Sequence, residues 1–173
     1  VDIVNNQTIK AQKRSIDLLQ TAFTPIIIDR ELPYVSQNDY VQLRLNGWLV
    51  NPVIRAPLKD TNVIIVGVDL LADGKKILPS GKNLADSNFL EMLANGENLL
   101  FGSGKTFEKI RNHLSNFTRI ELAHLPENTL IGDITSVQSL LNMKGRFTYF
   151  EYINRSLHTL DKLPLKNLML IDD

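Results

Sequence analysis

The sequence predicts an α+β fold: a single domain with a mixed, mostly antiparallel sheet, about four helices and a β-α-β unit in its second half. Short connections join the apolar runs of the first half, which favours antiparallel strands. Helix and strand patterns alternate in the second half. The chain has 173 residues, 43% hydrophobic and 22% charged, which is enough for one hydrophobic core. We therefore expect residues 1–173 to form one domain, with a weaker candidate boundary near residues 79–81.

The first half begins with a predicted amphipathic helix over residues 7–23, whose apolar positions fall on one stripe. A β-branched run at Ile26–Ile28 favours a short strand, and residues 33–38 read as a polar loop. Apolar and polar residues alternate over 41–46, which predicts a strand with one buried face. Gly47 then suits a bulge or bend in that strand.

Two more extended segments follow in the first half. Residues 52–57 are bracketed by prolines, and Val63–Val68 is apolar on both faces, which is typical of a central strand covered on both sides. Asp73-Gly74 is a turn signal, so we expect Ile77-Leu78 to follow as a hairpin partner.

The second half alternates between helices and strands. Cap residues and apolar spacing predict helices from Asp86 or Ser87 to Gly96, from Ser103 to Phe117, and from Thr135 to Met143. Apolar or aromatic runs predict strands over residues 99–101, 118–122, 146–153 and 165–171. Residues 99–122 would thus form the β-α-β unit.

Charge and cysteine content exclude several classes of function. The 19 Lys and Arg residues are balanced by 19 Asp and Glu residues, and the signs are also mixed locally. We therefore expect no broad basic surface for nucleic acid or anionic lipid. The chain has no cysteine, which removes disulfides, thiolate catalysis and thiolate metal sites. Because no apolar run reaches the ~18 residues of a spanning helix, we expect no transmembrane segment in this chain.

A glycine-rich turn is the strongest chemical motif in the sequence. It follows an apolar run and begins a helix, a position where backbone N–H groups can hold a phosphate, and its residues are Gly102, Ser103, Gly104, Lys105 and Thr106. A Walker A loop needs another glycine five positions before Gly104, where Leu99 stands. The motif thus predicts an anion site, and the alternative is a strand-to-helix turn with a serine cap.

Among the titratable residues outside this motif, Asp69 is the candidate for an acidic site. Asp69 ends the central strand, where carboxylates often serve acid–base or metal-assisted chemistry; the alternative is an aspartate that accepts backbone hydrogen bonds. His113, His124 and His158 have no helical metal-ligand spacing. We therefore expect no metal site and no cofactor, and structural or surface roles for the histidines.

Aromatic residues suggest two surfaces. Tyr34, Tyr40, Trp48 and Leu49 surround the predicted bend at Gly47, and exposed Trp and Tyr commonly anchor protein interfaces. The alternative is core packing. Residues 146–153 interleave aromatic and charged side chains, and such a strand can stack nucleic-acid bases; balanced charge makes this the least favoured of the surfaces.

The leading hypothesis is a non-enzymatic protein interaction or scaffold domain, with a protein partner or self-association through the Tyr34–Val50 region. Because the chain begins at Val1 and its three methionines are internal, we expect a fragment or processed part of a larger polypeptide. The alternative is a phosphate, anion or nucleotide-binding domain, which could be enzymatic, using Gly102–Thr106 with Asp69 nearby. A second alternative is nucleic-acid binding through residues 146–153. The composition assigns no cellular compartment.

Overall fold

The computed structural model describes residues 24–78, 88–153 and 162–172. The predicted helix at 7–23, the candidate boundary at 79–81 and the caps Asp86 and Ser87 lie outside these residues. The α-helices are α1 Gln37–Leu45, α2 Phe89–Ala94, α3 Gly104–Lys109 and α4 Ile134–Leu141. The strands are β1 Ile26–Asp29, β2 Val35–Ser36, β3 Val50–Pro57, β4 Ile64–Val68, β5 Leu99–Gly102, β6 Thr118–Glu121, β7 Thr129–Asp133, β8 Arg146–Phe147, β9 Tyr149–Tyr152 and β10 Leu168–Ile171. The predicted α+β class is confirmed.

The chain divides into two compact units, Val1–Pro52 with Gly145–Asp173, and Val53–Lys144. In the first unit β1 lies between β10 and β9 and is antiparallel to both, with Ile26 opposite Ile171 and Ile27 opposite Phe150. A separate antiparallel pair joins β2 to β8. The side chains of Ile26–Ile28 are at most 1% exposed, so β1 is the buried centre of this unit, as its β-branched run predicts.

The second unit contains the strand order β3-β4-β7-β5-β6. β4 pairs antiparallel with β3 and parallel with β7, while β5 pairs antiparallel with β7 and parallel with β6. The mixed pairing and the β-α-β unit β5-α3-β6 are therefore confirmed. The domain count stays a prediction.

Helix α4 packs directly on the glycines of this sheet. A Cβ built on Gly67 of β4 would lie 2.9 Å from Val137 Cβ, and one on Gly132 of β7 would lie 3.1 Å from Val137 Cγ2. Contacts under 3.0 Å are not tolerated without movement. Glycine in both strands thus allows the helix to approach the sheet closely.

The predicted strand over residues 41–46 is wrong, because these residues belong to helix α1. Ser36 Oγ accepts from Asp39 N at 3.0 Å and Asp39 Oδ2 accepts from Ser36 N at 2.9 Å, a reciprocal capping box that starts the helix. Gly47, with φ of 82°, follows the helix end instead of bending a strand. Residues two apart lie on opposite sides of a helix, so Leu43 is buried while Val41 and Leu45 are exposed.

Two other local predictions differ from the structure. Ile77-Leu78 is not a hairpin strand, because Gly74–Lys76 forms a 3₁₀ turn. The helix that starts after Ser103 ends at Lys109, and Leu114 takes a positive φ of 59°. The Arg119 guanidinium donates to the carbonyls of Ile110 at 3.1 Å and His113 at 2.6 Å, which satisfies backbone acceptors beyond the shortened helix.

Within the described residues, no helix has the length and apolar character needed to cross a membrane.

Replacing Ser36 with Ala should lower the free energy of unfolding by about 1 kcal/mol, because the amide of Asp39 loses its capping acceptor. Urea denaturation of the Ser36→Ala and wild-type proteins measures this difference. Ser139→Ala is the matched control, since Ser139 is exposed on α4 and its loss should change stability by less than about 0.5 kcal/mol. Equal effects of the two substitutions would contradict the capping account.

Candidate functional site

The predicted interface residues are largely occupied by packing within the first unit. Trp48 is 5% exposed, and its ring lies 5.2 Å from that of Tyr152. Tyr40 packs 6.4 Å from Phe147, and Tyr34 lies under the Arg146 guanidinium at 5.2 Å. Tyr34, Tyr40 and Leu49 are only partly exposed. The aromatic rings of this region therefore pack mainly within the unit, and little of their surface is open to a partner.

Helix α1 carries the exposed apolar side chains of the same region. Val41 is 40% exposed and Leu45 is 76% exposed. They are four residues apart and therefore lie one above the other on the helix. Asn38 and Arg44 of the same helix are also exposed. We call Val41 and Leu45 the α1 patch.

The aromatic segment does not offer a platform for bases. Phe147, Tyr149, Phe150 and Tyr152 are all buried, and Phe147 packs 5.9 Å from Phe150. A stacking platform needs ring faces open to solvent. The burial of these rings gives no support to nucleic-acid binding through residues 146–153, which stays a prediction.

The glycine-rich turn connects β5 to α3, and its side chains form internal hydrogen bonds and close contacts. Ser103 Oγ accepts from Thr106 N at 3.3 Å and lies 2.9 Å from Thr106 Oγ1, which accepts from Asn128 N at 3.0 Å. Gly102 is buried, and a Cβ there would lie 2.6 Å from Leu130 Cδ2. Both hydroxyls and the first glycine thus have structural roles.

A carboxylate stands beside the place where an anion would approach this turn. A Cβ built on Gly104 would lie 3.4 Å from Glu121 Oε2. Lys105 is exposed, so the turn presents one cation beside one carboxylate. The negative charge of Glu121 offsets that of Lys105 and disfavours a bound phosphate. Anion binding at Gly102–Thr106 stays a prediction.

The turn and Asp69 lie at opposite ends of β7, so the expectation that they are neighbours is wrong. Val68 is in register with Asp133 at the carboxyl end of β7, which places Asp69 at that end. β5 runs antiparallel to β7, and Phe101 is opposite Ile131. Gly102 and Thr106 therefore lie toward the amino end, where Thr106 contacts Asn128.

Asp69 instead lies close to Asp133, a carboxylate that the sequence reading did not single out. Asp69 Oδ1 accepts from the amides of Leu71 at 3.1 Å and Ala72 at 3.2 Å. Burial raises the pKa of Asp133 above its ordinary value of 3.8; Leu70 N–H lowers it, and the charge of Asp69 raises it further. The cap signal Asp133-Ile-Thr-Ser after an apolar run could have identified this residue.

Asp73 and His124 have other contacts in the described part of the second unit. Asp73 is buried, and its backbone amide donates to Asp69 O at 2.7 Å. His124 Nε2 lies 2.8 Å from Ile77 O, and His158 lies outside the described residues. Within residues 24–78, 88–153 and 162–172, no group of three or more His, Asp or Glu residues is arranged to hold a metal ion.

A cavity of about 270 Å³ in the second unit is lined by amide and hydroxyl side chains and by Phe117 and Leu140. Ser136 Oγ donates to Asn98 Oδ1 at 2.9 Å within this lining. Its described lining residues have no ionisable side chain, so they supply hydrogen bonds but no general acid or base.

Asp69→Asn should lower the pKa of Asp133 toward 3.8, because it removes the repulsive charge and keeps an oxygen that can accept the loop amides. Carboxyl-carbon NMR titration measures this pKa. The pKa of Asp133 is higher in the folded state than in the unfolded state, so the folded protein keeps this proton to a higher pH. The free energy of unfolding therefore falls as pH rises from 3.8 through the pKa of the folded state. Asp133→Asn should remove that fall in urea denaturation.

Asp60→Asn is the control for this titration. Asp60 is an exposed turn residue that precedes the amino end of β4, whereas Asp69 follows the carboxyl end. This substitution should leave the pKa of Asp133 unchanged. An Asp133 pKa that is the same in wild type and Asp69→Asn would show that the two carboxylates do not interact.

Comparison with known proteins gives a fold resemblance only. No protein-family model matches the chain, and no curated protein matches it. A solved structure of similar fold is the extracellular domain of the noncanonic ABC-type transporter YknZ from Gram-positive bacteria. The two chains are 12% identical, with 78% of this chain and 85% of that chain covered at a TM-score of 0.49. This resemblance assigns no residue role, ligand or partner to the present chain.

Proposed function

We propose that this chain is a non-enzymatic interaction domain that acts through its protein surface. The single observation that supports it best is the α1 patch, where Leu45 and Val41 expose 76% and 40% of their surface one helical turn apart. The groups that looked chemical in the sequence are engaged internally: Ser103 and Thr106 bond each other, and Asp69 holds its own loop.

The α1 patch is held firmly enough to serve as a recognition surface. The capping box fixes the start of α1, and Leu43 anchors its opposite side at 0% exposure. Gln37 N also donates to Gly145 O at 2.8 Å. A fixed helix loses little conformational freedom on binding, which favours association.

The partner we propose is a second copy of this chain, with α1 against α1. The chain carries 19 positive and 19 negative residues, so net charge does not oppose contact between copies. Burying a leucine-sized side chain contributes roughly 1.5–3 kcal/mol. Because two such residues per copy form a small contact, we expect a weak dimer, with a dissociation constant on the order of 100 μM.

Leu45→Glu should keep the protein monomeric at concentrations where the wild type is dimeric, because a glutamate would have to be desolvated in the contact. Sedimentation velocity between about 10 μM and 1 mM measures the distribution.

Leu71→Glu is the matched control, since Leu71 is 70% exposed on a turn of the second unit and the substitution changes charge equally. It should leave the dimer unchanged. A wild type that is monomeric throughout this range, or an equal loss of dimer in both variants, would contradict self-association through α1.

A further inference from the structure

A groove of about 550 Å³ lies in the first unit along β10. Its apolar lining includes the partly exposed side chains Leu163, Leu165, Met169 and Leu170. The charged residues that line it, among those the structure describes, are all cations: Arg30, Lys162 and Lys166. This volume falls within the range of small-molecule sites, roughly 300–1,000 Å³, which also combine an apolar lining with a few polar groups.

Backbone pairing brings these cations together from distant parts of the sequence. Asp29 of β1 is opposite Leu168 of β10, and Arg30 N donates to Asn167 O at 2.8 Å. Arg30 therefore reaches the side of the groove where Lys166 precedes β10. Because Arg30 is distant in the sequence from Lys162 and Lys166, the balanced composition does not predict this basic groove.

The charge of the groove is uncompensated within the part of the chain that the structure describes. No described lining residue is acidic, and no described salt bridge involves Arg30, Lys162 or Lys166. All three cationic residues are exposed. The described lining of the groove thus combines three positive charges with apolar side chains.

We propose that this groove binds a single acidic amphiphile, one acyl chain with a carboxylate or phosphate head. The acyl chain would cover Leu163, Leu165 and Met169 and so remove apolar surface from water on both sides of the contact. The head would accept hydrogen bonds from Arg30 and Lys166. Neither a fully apolar ligand nor a small free anion satisfies both halves of the groove. This proposal is independent of self-association through α1.

Methionine-methyl NMR tests the proposal, because the chain has three methionines. Met169 lines the groove, while Met92 and Met143 belong to the second unit and serve as internal controls. Met169→Leu assigns the resonance. Dodecanoate and dodecyl phosphate, both kept below micelle formation, should shift the Met169 signal to saturation and leave the other two unchanged. Dodecyltrimethylammonium and acetate should not shift it.

Paired variants test the charge of the site. Arg30→Gln with Lys166→Gln should weaken dodecanoate binding by about tenfold or more, since both ionic hydrogen bonds to the head group are lost. Lys59→Gln with Lys105→Gln removes the same charge from exposed positions in the second unit and should leave affinity unchanged.

Several outcomes would overturn the proposal. One is the absence of a saturable Met169 shift with dodecanoate. The others are an equal shift with dodecyltrimethylammonium and a shift of all three methionine signals together. Sedimentation with phosphatidylglycerol vesicles separates the sources of the chemistry. Vesicle binding without binding of monomeric dodecanoate would mean that the groove contacts a bilayer surface and holds no single amphiphile.

Discussion

The Asn167 side-chain amide joins three segments of the first unit through two buried carboxylates. Its Nδ2 donates to Asp29 Oδ2 at 2.9 Å and lies 3.4 Å from Asp39 Oδ1. Both carboxylates are buried, and a buried carboxylate is stable only when hydrogen bonds surround it. Asp29 also accepts from Glu31 N and Leu32 N, and Asp39 closes the capping box. One amide therefore ties the end of β1 and the start of α1 to the residue preceding β10.

Both proposed surfaces lie beside this connection. Asp39 sets the start of α1 and hence the positions of Val41 and Leu45. The backbone of Asn167 accepts from Arg30 N, which brings a cation of the groove toward Lys166. In the second unit, by contrast, polar groups mainly serve internal turns, as Ser103 and Asp69 illustrate. Both proposed recognition surfaces therefore lie in the first unit.

Sequence patterns predicted elements whose signals are local. The apolar run of β4, the β-branched run of β1 and the Ser103 cap needed only neighbouring residues. The six alternating residues at 41–46 predict a strand, whereas the Ser36–Asp39 capping box begins a helix there. The Asp69–Asp133 pair and the basic groove depend on strand pairing between distant segments. A single sequence does not encode such pairing in any local pattern.

Amide hydrogen exchange of Asn167→Ala tests the central contact most directly. Without the side-chain amide, the buried carboxylates of Asp29 and Asp39 lose a donor, so the structure around each should open more often. We expect faster exchange at the Arg30, Glu31 and Asp39 amides together, with unchanged exchange in β4 and β7 of the second unit. Unchanged exchange at all three amides, or equal acceleration in both units, would contradict the central role of Asn167.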